Sequence, residues 1–179
     1  MMNSFIQCLT YFRIIAGPII FILILTLQFY GMALIILLLA STTDYFDGFL
    51  ARKYSLTSTL GAVLDPIADK ILITFSLIAI AVVLDSSYFA FIASVILARE
   101  FWVSALRDLN ARNGDQEATS VTFLAKIKTS IQLVTLCGFL IGLYVDNALI
   151  LFLSHFLLFL TLIITLQTGL SYTIATFKR

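Results

Sequence analysis

Asp44, Asp47, Asp65 and Asp69 stand inside strongly apolar sequence. The first stretch reads Asp44-Tyr-Phe-Asp47-Gly48-Phe-Leu-Ala51-Arg52. Eight residues later comes Gly61-Ala-Val-Leu-Asp65-Pro66-Ile-Ala-Asp69-Lys70. Spacings of three and four put each pair of acids on one face of a helix. A carboxylate within a membrane span is costly and marks a functional site by default. Four carboxylates with no His, no Cys and no matching set of four cations beside them ask for a hard divalent cation, Mg2+ or Mn2+. Mg2+ commonly takes one or two protein carboxylates and completes its shell with substrate phosphates. Four acids therefore suit two ions that share carboxylates around a pyrophosphate, the arrangement that clamps an in-line displacement at phosphorus. Gly48 and Gly61 leave the backbone open to close approach, and Ala51 keeps the same groove narrow. Two other readings exist. One is a set of solvated acids at a membrane surface. The other is a cation-transport site, but such sites lie near the midplane at broken helices, whereas these acids fall at one end of their spans.

The elements that carry them are long and apolar. Of 179 residues, 61% are hydrophobic and 12% charged, against roughly 25% charged in soluble domains. This composition predicts an all-α integral membrane protein, a single membrane domain over residues 1–179 with the acidic motif at 44–69. Each apolar stretch meets the length of about 20 residues that a span needs. Six are drawn, from about Phe5 to Leu27, Met32 to Arg52, Thr57 to Leu84, Tyr88 to Arg112, Ser120 to Val145 and Ala148 to Phe177. Helices satisfy their own backbone groups in lipid, and the continuous Leu/Ile/Phe runs lack the alternation of a barrel. The linkers near Gln28–Gly31, Asp85–Ser87 and Asp146–Asn147 hold no Lys or Arg. Arg13, Arg52, Lys53, Arg107, Arg112, Lys126, Lys128, Lys178 and Arg179 fall on the other side. Both termini and two longer loops, about Lys53–Leu56 and Asn113–Thr119, are therefore expected in the cytoplasm, with the acids near that surface. A net charge of +1 argues against a nucleic-acid partner. Cys8 and Cys137 show no metal spacing and read as small core residues. No cleavable signal and no internal repeat are expected.

The pattern Asp-x2-Asp-Gly-x2-Ala-Arg-x8-Gly-x3-Asp-x3-Asp resembles the motif of the CDP-alcohol phosphotransferases. All eight fixed positions are present: Asp44, Asp47, Gly48, Ala51, Arg52, Gly61, Asp65 and Asp69. The resemblance implies a fold of six transmembrane helices with both termini cytoplasmic. It also implies a homodimer in a bacterial inner membrane, and transfer of a phosphatidyl group from CDP-diacylglycerol to a small alcohol with release of CMP. Position by position it implies Asp44 and Asp65 touching both of two Mg2+ or Mn2+ ions, Asp47 completing the first and Asp69 the second. Asp69 would also be the general base for the acceptor hydroxyl. Gly48, Ala51, Arg52, Ser58 and Gly61 would line the CDP-diacylglycerol site. Thr10, Arg13 and Pro18 are similar to the family's N-x-[IL]-T-x-x-R-x4-P stretch, with Gln7 in place of its Asn, which implies a nucleotide contact near Gln7 and Thr10.

A second set of polar residues bears on the acceptor. Arg99 and Glu100 lie inside a span and want partners, and Glu100, Ser104 and Arg107 recur at i, i+4 and i+7. With Lys126 and Lys128 they bring several cations toward the same expected end, which suits an acceptor carrying a phosphate. The plainer readings are basic anchors at the membrane surface and a structural Arg99–Glu100 pair. Leu64-Asp-Pro-Ile-Ala-Asp-Lys70, Ala98-Arg-Glu100 and Lys126-Ile-Lys-Thr129 most resemble family members that make phosphatidylglycerophosphate. That implies sn-glycerol 3-phosphate as the acceptor, with Arg99, Arg107, Lys126 and Lys128 on its phosphate. Serine, inositol phosphate or phosphatidylglycerol are alternative acceptors, and an ion- or lipid-transporting bundle is the non-enzymatic alternative.

Overall fold

A computed structural model describes residues 2–54, 59–113 and 123–178, with backbone alone for 2–7, 44–54, 59–63 and 123–126. Six helices stand among the described residues: α1 (Met2–Leu25), α2 (Tyr30–Tyr54), α3 (Thr59–Val83), α4 (Ser87–Arg112), α5 (Phe123–Val145) and α6 (Ala148–Phe177). Among the described residues, five are long and apolar enough to cross a membrane, and the shorter apolar run Tyr30–Thr43 belongs to α2. Large apolar side chains stay exposed along them, Phe91, Leu149 and Phe152 among the most. In lipid such a surface carries no penalty, because apolar chains gain nothing by moving inward.

The three linkers expected to lack basic charge are tight turns. Each passes through one left-handed residue: Gln28 at φ 52°, Asp85 at φ 44° and Asp146 at φ 52°. Asp is among the few side chains that adopt this region readily, and Gln is not. The next helices begin at once. The Ser86 hydroxyl accepts from the Phe89 N–H at 3.2 Å, and Asn147 Oδ1 accepts from the N–H groups of Leu149 (3.0 Å) and Ile150 (3.2 Å). Both are N-caps of the expected kind. On the opposite side, α2 runs on through Lys53 and Tyr54 where a loop was expected, since neither Gly nor Pro interrupts it there. Residues 55–56 of the first longer loop and 114–119 of the second lie outside the described residues.

The helices fall into two compact units, one of residues 1–85 with 143–146, the other of 86–142 with 147–179. In the first, α1 and α3 run parallel. Gly17 sits where a Cβ would come within 3.1–3.3 Å of Ile71 and Phe75, so the missing side chain is what lets the helices close. One turn on, Phe21 meets Phe75 edge-on at 5.7 Å. In the second unit, α5 and α6 pack antiparallel through Gly142 against Leu151 and Gly138 against Ser154. Phe89 of α4, Phe139 of α5 and His155 of α6 meet edge to face, with centroids 4.9–6.4 Å apart. Neither cysteine is a core residue: Cys8 is exposed and Cys137 half-buried, again because lipid does not drive a small apolar side chain inward.

Candidate active site

The α1/α3 contact places the described half of the acidic motif. Asp65 and Asp69 lie two and three turns into α3, one turn apart on the same face. Pro66 between them has no N–H to donate, so one rung of the helix is absent at the site. Facing them from α1 is Arg13, whose side chain is fully buried. It donates to Asp69 Oδ1 at 2.7 Å and to Asp65 Oδ1 at 3.2 Å. The hydroxyl of Thr10, also buried, donates to the same Asp65 oxygen at 2.8 Å. The two carboxylates are 40% and 50% exposed. An inaccessible cation thus holds two acids whose outer sides stay accessible, and it fixes their rotamers while offsetting their mutual repulsion.

The other site residues expected from the sequence are placed less fully. Asp44, Asp47, Gly48, Ala51 and Arg52 fall on α2 and Gly61 on the first turn of α3, so the expected spacings run on helical backbone. Their side chains, like those of Gln7 and Lys126, lie outside the described residues, as does Ser58 altogether. Among the described residues no group of three His, Cys, Asp or Glu side chains stands ready to hold a metal; Asp65 and Asp69 are the described pair. Arg13 as their counter-cation was not anticipated. The signal was available: an arginine inside an apolar helix demands an acidic partner, and Thr10 and Arg13 share a face at i, i+3.

In the second unit the cations gather on Glu100. The Lys128 ammonium pairs with Glu100 Oε1, and Arg99 donates to the same oxygen at 3.2 Å. Arg99 also donates to Thr168 Oγ1 on α6 at 2.6 Å, its stem packed where a Cβ on Gly169 would come within 3.0 Å. Arg107 is more exposed; it donates to the Tyr172 hydroxyl at 3.1 Å and lies 5.2 Å from that ring's centre. The structure therefore joins Arg99 and Lys128, both buried, and puts Arg107 on a separate partner. Trp102 to Thr173 and Asn110 to Thr176, each 2.9 Å, extend the α4/α6 seam on either side.

The family model for CDP-alcohol phosphatidyltransferase matches residues 6–167. A protein of Wigglesworthia glossinidia brevipalpis named CDP-diacylglycerol--glycerol-3-phosphate 3-phosphatidyltransferase is 40% identical over 136 residues, 74% of each chain. Proteins of the same name from Shigella flexneri serotype 5b and Escherichia coli K12 are each 34% identical over 167 residues, 92% of this chain and 90% of theirs. With the match reaching from α1 into α6 and the acidic motif complete, this chain belongs to the CDP-alcohol phosphatidyltransferase family.

Proposed function

We propose that this protein transfers the phosphatidyl group of CDP-diacylglycerol to sn-glycerol 3-phosphate, forming phosphatidylglycerophosphate and releasing CMP. The observation that carries the reading is similarity over nine-tenths of the chain to proteins bearing that activity in their name, with all eight motif positions intact.

Asp65 and Asp69 fit a hard divalent cation: oxygen donors on one helix face, half exposed, their rotamers held from behind by Arg13. Asp44, Asp47, Asp65 and Asp69 would hold two Mg2+ or Mn2+ ions. Bound there, the metal would supply neutralisation of the pyrophosphate charge and of the charge on departing CMP. The protein's own groups do the rest. Arg52 takes a phosphate of the CDP part, and Gln7, Thr10, Gly48, Ala51, Ser58 and Gly61 line its site. Asp69 accepts the proton of the attacking hydroxyl; an ordinary carboxylate is a weak base for an alcohol, so positioning of the hydroxyl carries much of this step. Arg99, Arg107, Lys126 and Lys128 take the acceptor's phosphate. The reaction is one sequential displacement at the β-phosphorus, with no covalent enzyme intermediate. The protein works as a homodimer of one six-span membrane domain in a bacterial inner membrane, with both termini and the acids at the cytoplasmic face.

The test is an acceptor panel with radiolabelled CDP-diacylglycerol and purified protein in Mg2+ or Mn2+. Label should pass to glycerol 3-phosphate in preference to serine, inositol phosphate, phosphatidylglycerol and free glycerol. Transfer to another acceptor would replace the assigned alcohol; no CMP release with any acceptor would leave a transport bundle as the reading.

A further inference from the structure

Beside the Arg99–Glu100–Lys128 cluster runs a buried polar line between α5 and α6 that no step above uses. Its register follows from Thr135 of α5 and Thr161 of α6, whose hydroxyls are 3.3 Å apart. The helices are antiparallel, so one turn further Gln132 stands level with Thr165. One more turn brings Lys128 level with Thr168, the partner of Arg99. Gln132 and Thr165 are both fully or almost fully buried, 4% and 0% exposed. Buried polar groups of this kind are nearly always hydrogen-bonded. Yet among the described residues Gln132 Nε2, Thr165 Oγ1 and the Nε of buried Arg99 have no hydrogen-bond partner.

Thr165 is the informative member. The hydroxyls of Thr161 and Thr168, one turn to either side, donate back to their own helix carbonyls at Leu157 and Ile164, each at 2.8 Å. Thr135 does the same to Ile131 at 2.7 Å. Thr165 has that option by residue type and does not take it. Two of the three open groups are N–H donors, on α4 and α5, the helices that carry Arg99 and Lys128; the third is a hydroxyl on α6, one turn from Thr168, which Arg99 contacts. A ligand that satisfies such a set is rich in acceptor oxygens and negatively charged.

We infer that Gln132 and Thr165 complete, with Arg99 and Lys128, the pocket for the phosphate of the acceptor alcohol, and so set the preference for a phosphorylated acceptor. Glu100 keeps the two cations oriented within it. The inference rests on glycerol 3-phosphate being the acceptor.

The test is Gln132→Leu and Thr165→Val, with both substrates varied and with thermal stabilisation by glycerol 3-phosphate measured without CDP-diacylglycerol. Each variant should raise the KM for glycerol 3-phosphate by about tenfold or more, the loss of one hydrogen bond to a charged ligand. Stabilisation by glycerol 3-phosphate should weaken in step. The KM for CDP-diacylglycerol and kcat should stay within about twofold. Thr165→Ser should retain the wild-type acceptor KM, and Gln132→Glu, which replaces donors by a negative charge at equal volume, should be worse than Gln132→Leu. An unchanged acceptor KM in folded Gln132→Leu and Thr165→Val, with equal or higher stability, would overturn the inference and leave these groups a structural role. A wild-type preference for an unphosphorylated acceptor would instead overturn the functional reading on which it rests.

Discussion

Replacing Arg13 by Met should destabilise the metal-free protein by about 2–4 kcal/mol. Among the described residues two charge-assisted hydrogen bonds are lost, at 2.7 and 3.2 Å, each worth about 1.5–3 kcal/mol. The lower end applies, because Asp65 and Asp69 are 40% and 50% exposed and water re-solvates them once the guanidinium is gone. For the same reason the loss falls short of that from orphaning a fully buried charge. Met keeps much of the stem's volume, so cavity formation adds little. In detergent the melting temperature should fall by roughly 5–15 °C in EDTA. Mn2+ should restore part of the loss, since a divalent cation can neutralise the same two acids. Arg13→Lys should recover less than half, as one ammonium cannot reproduce a forked contact to two carboxylates. A metal-free Arg13→Met protein that melts with the wild type would refute the account of Arg13 as the group that holds these acids.

Asp69→Asn should abolish turnover yet retain CDP-diacylglycerol binding, read by ligand-dependent thermal shift; near-normal kcat would remove Asp69 from the base role. Asp44→Ala and Asp65→Ala should each lose both activity and stabilisation by Mn2+, and full wild-type activity in EDTA would end the two-metal proposal. Arg107→Ala should raise the acceptor KM and leave that of CDP-diacylglycerol unmoved in two-substrate kinetics. Lys128→Ala should do the same but also lower stability, because among the described residues Glu100 then keeps Arg99 alone. Gly142→Ala should cost about 1–3 kcal/mol, since its Cβ would lie 2.7–2.9 Å from the Leu151 side chain and 3.2 Å from that residue's backbone nitrogen. Gly138→Ala should cost less in the same unfolding series, because the atom it meets, Ser154 Oγ, can rotate away.

The helices were legible because length and apolarity dominate in lipid, and the boundaries near Leu84, Arg112, Val145 and Phe177 agree with the sequence reading within a residue or two. The turns at Asp85 and Asp146 follow from residue chemistry, with Ser86 and Asn147 capping what comes next. The left-handed Gln28 does not, since nothing in a glutamine favours that conformation. The spacing of Asp65 and Asp69 is local and readable. Their partner is 52 and 56 residues away, and only the parallel register of α1 on α3 brings Arg13 to them. Adjacency makes an Arg99–Glu100 pair the plainer alternative to Arg99 on the acceptor's phosphate; that Lys128 shares the same oxygen depends on α5 packing against α4. Gln132 and Thr165 carry no sequence signal, because an amide and a hydroxyl in a span are ordinary until their neighbours are found to be satisfied and they are not.

The most direct test of the central claim is CMP release from CDP-diacylglycerol by purified protein with Mn2+ or Mg2+, with and without glycerol 3-phosphate. The account predicts CMP formation that requires both the metal and the acceptor, matched mole for mole by phosphatidylglycerophosphate and lost in Asp69→Asn. CMP formation that ignores glycerol 3-phosphate, or that persists in Asp69→Asn, would contradict it.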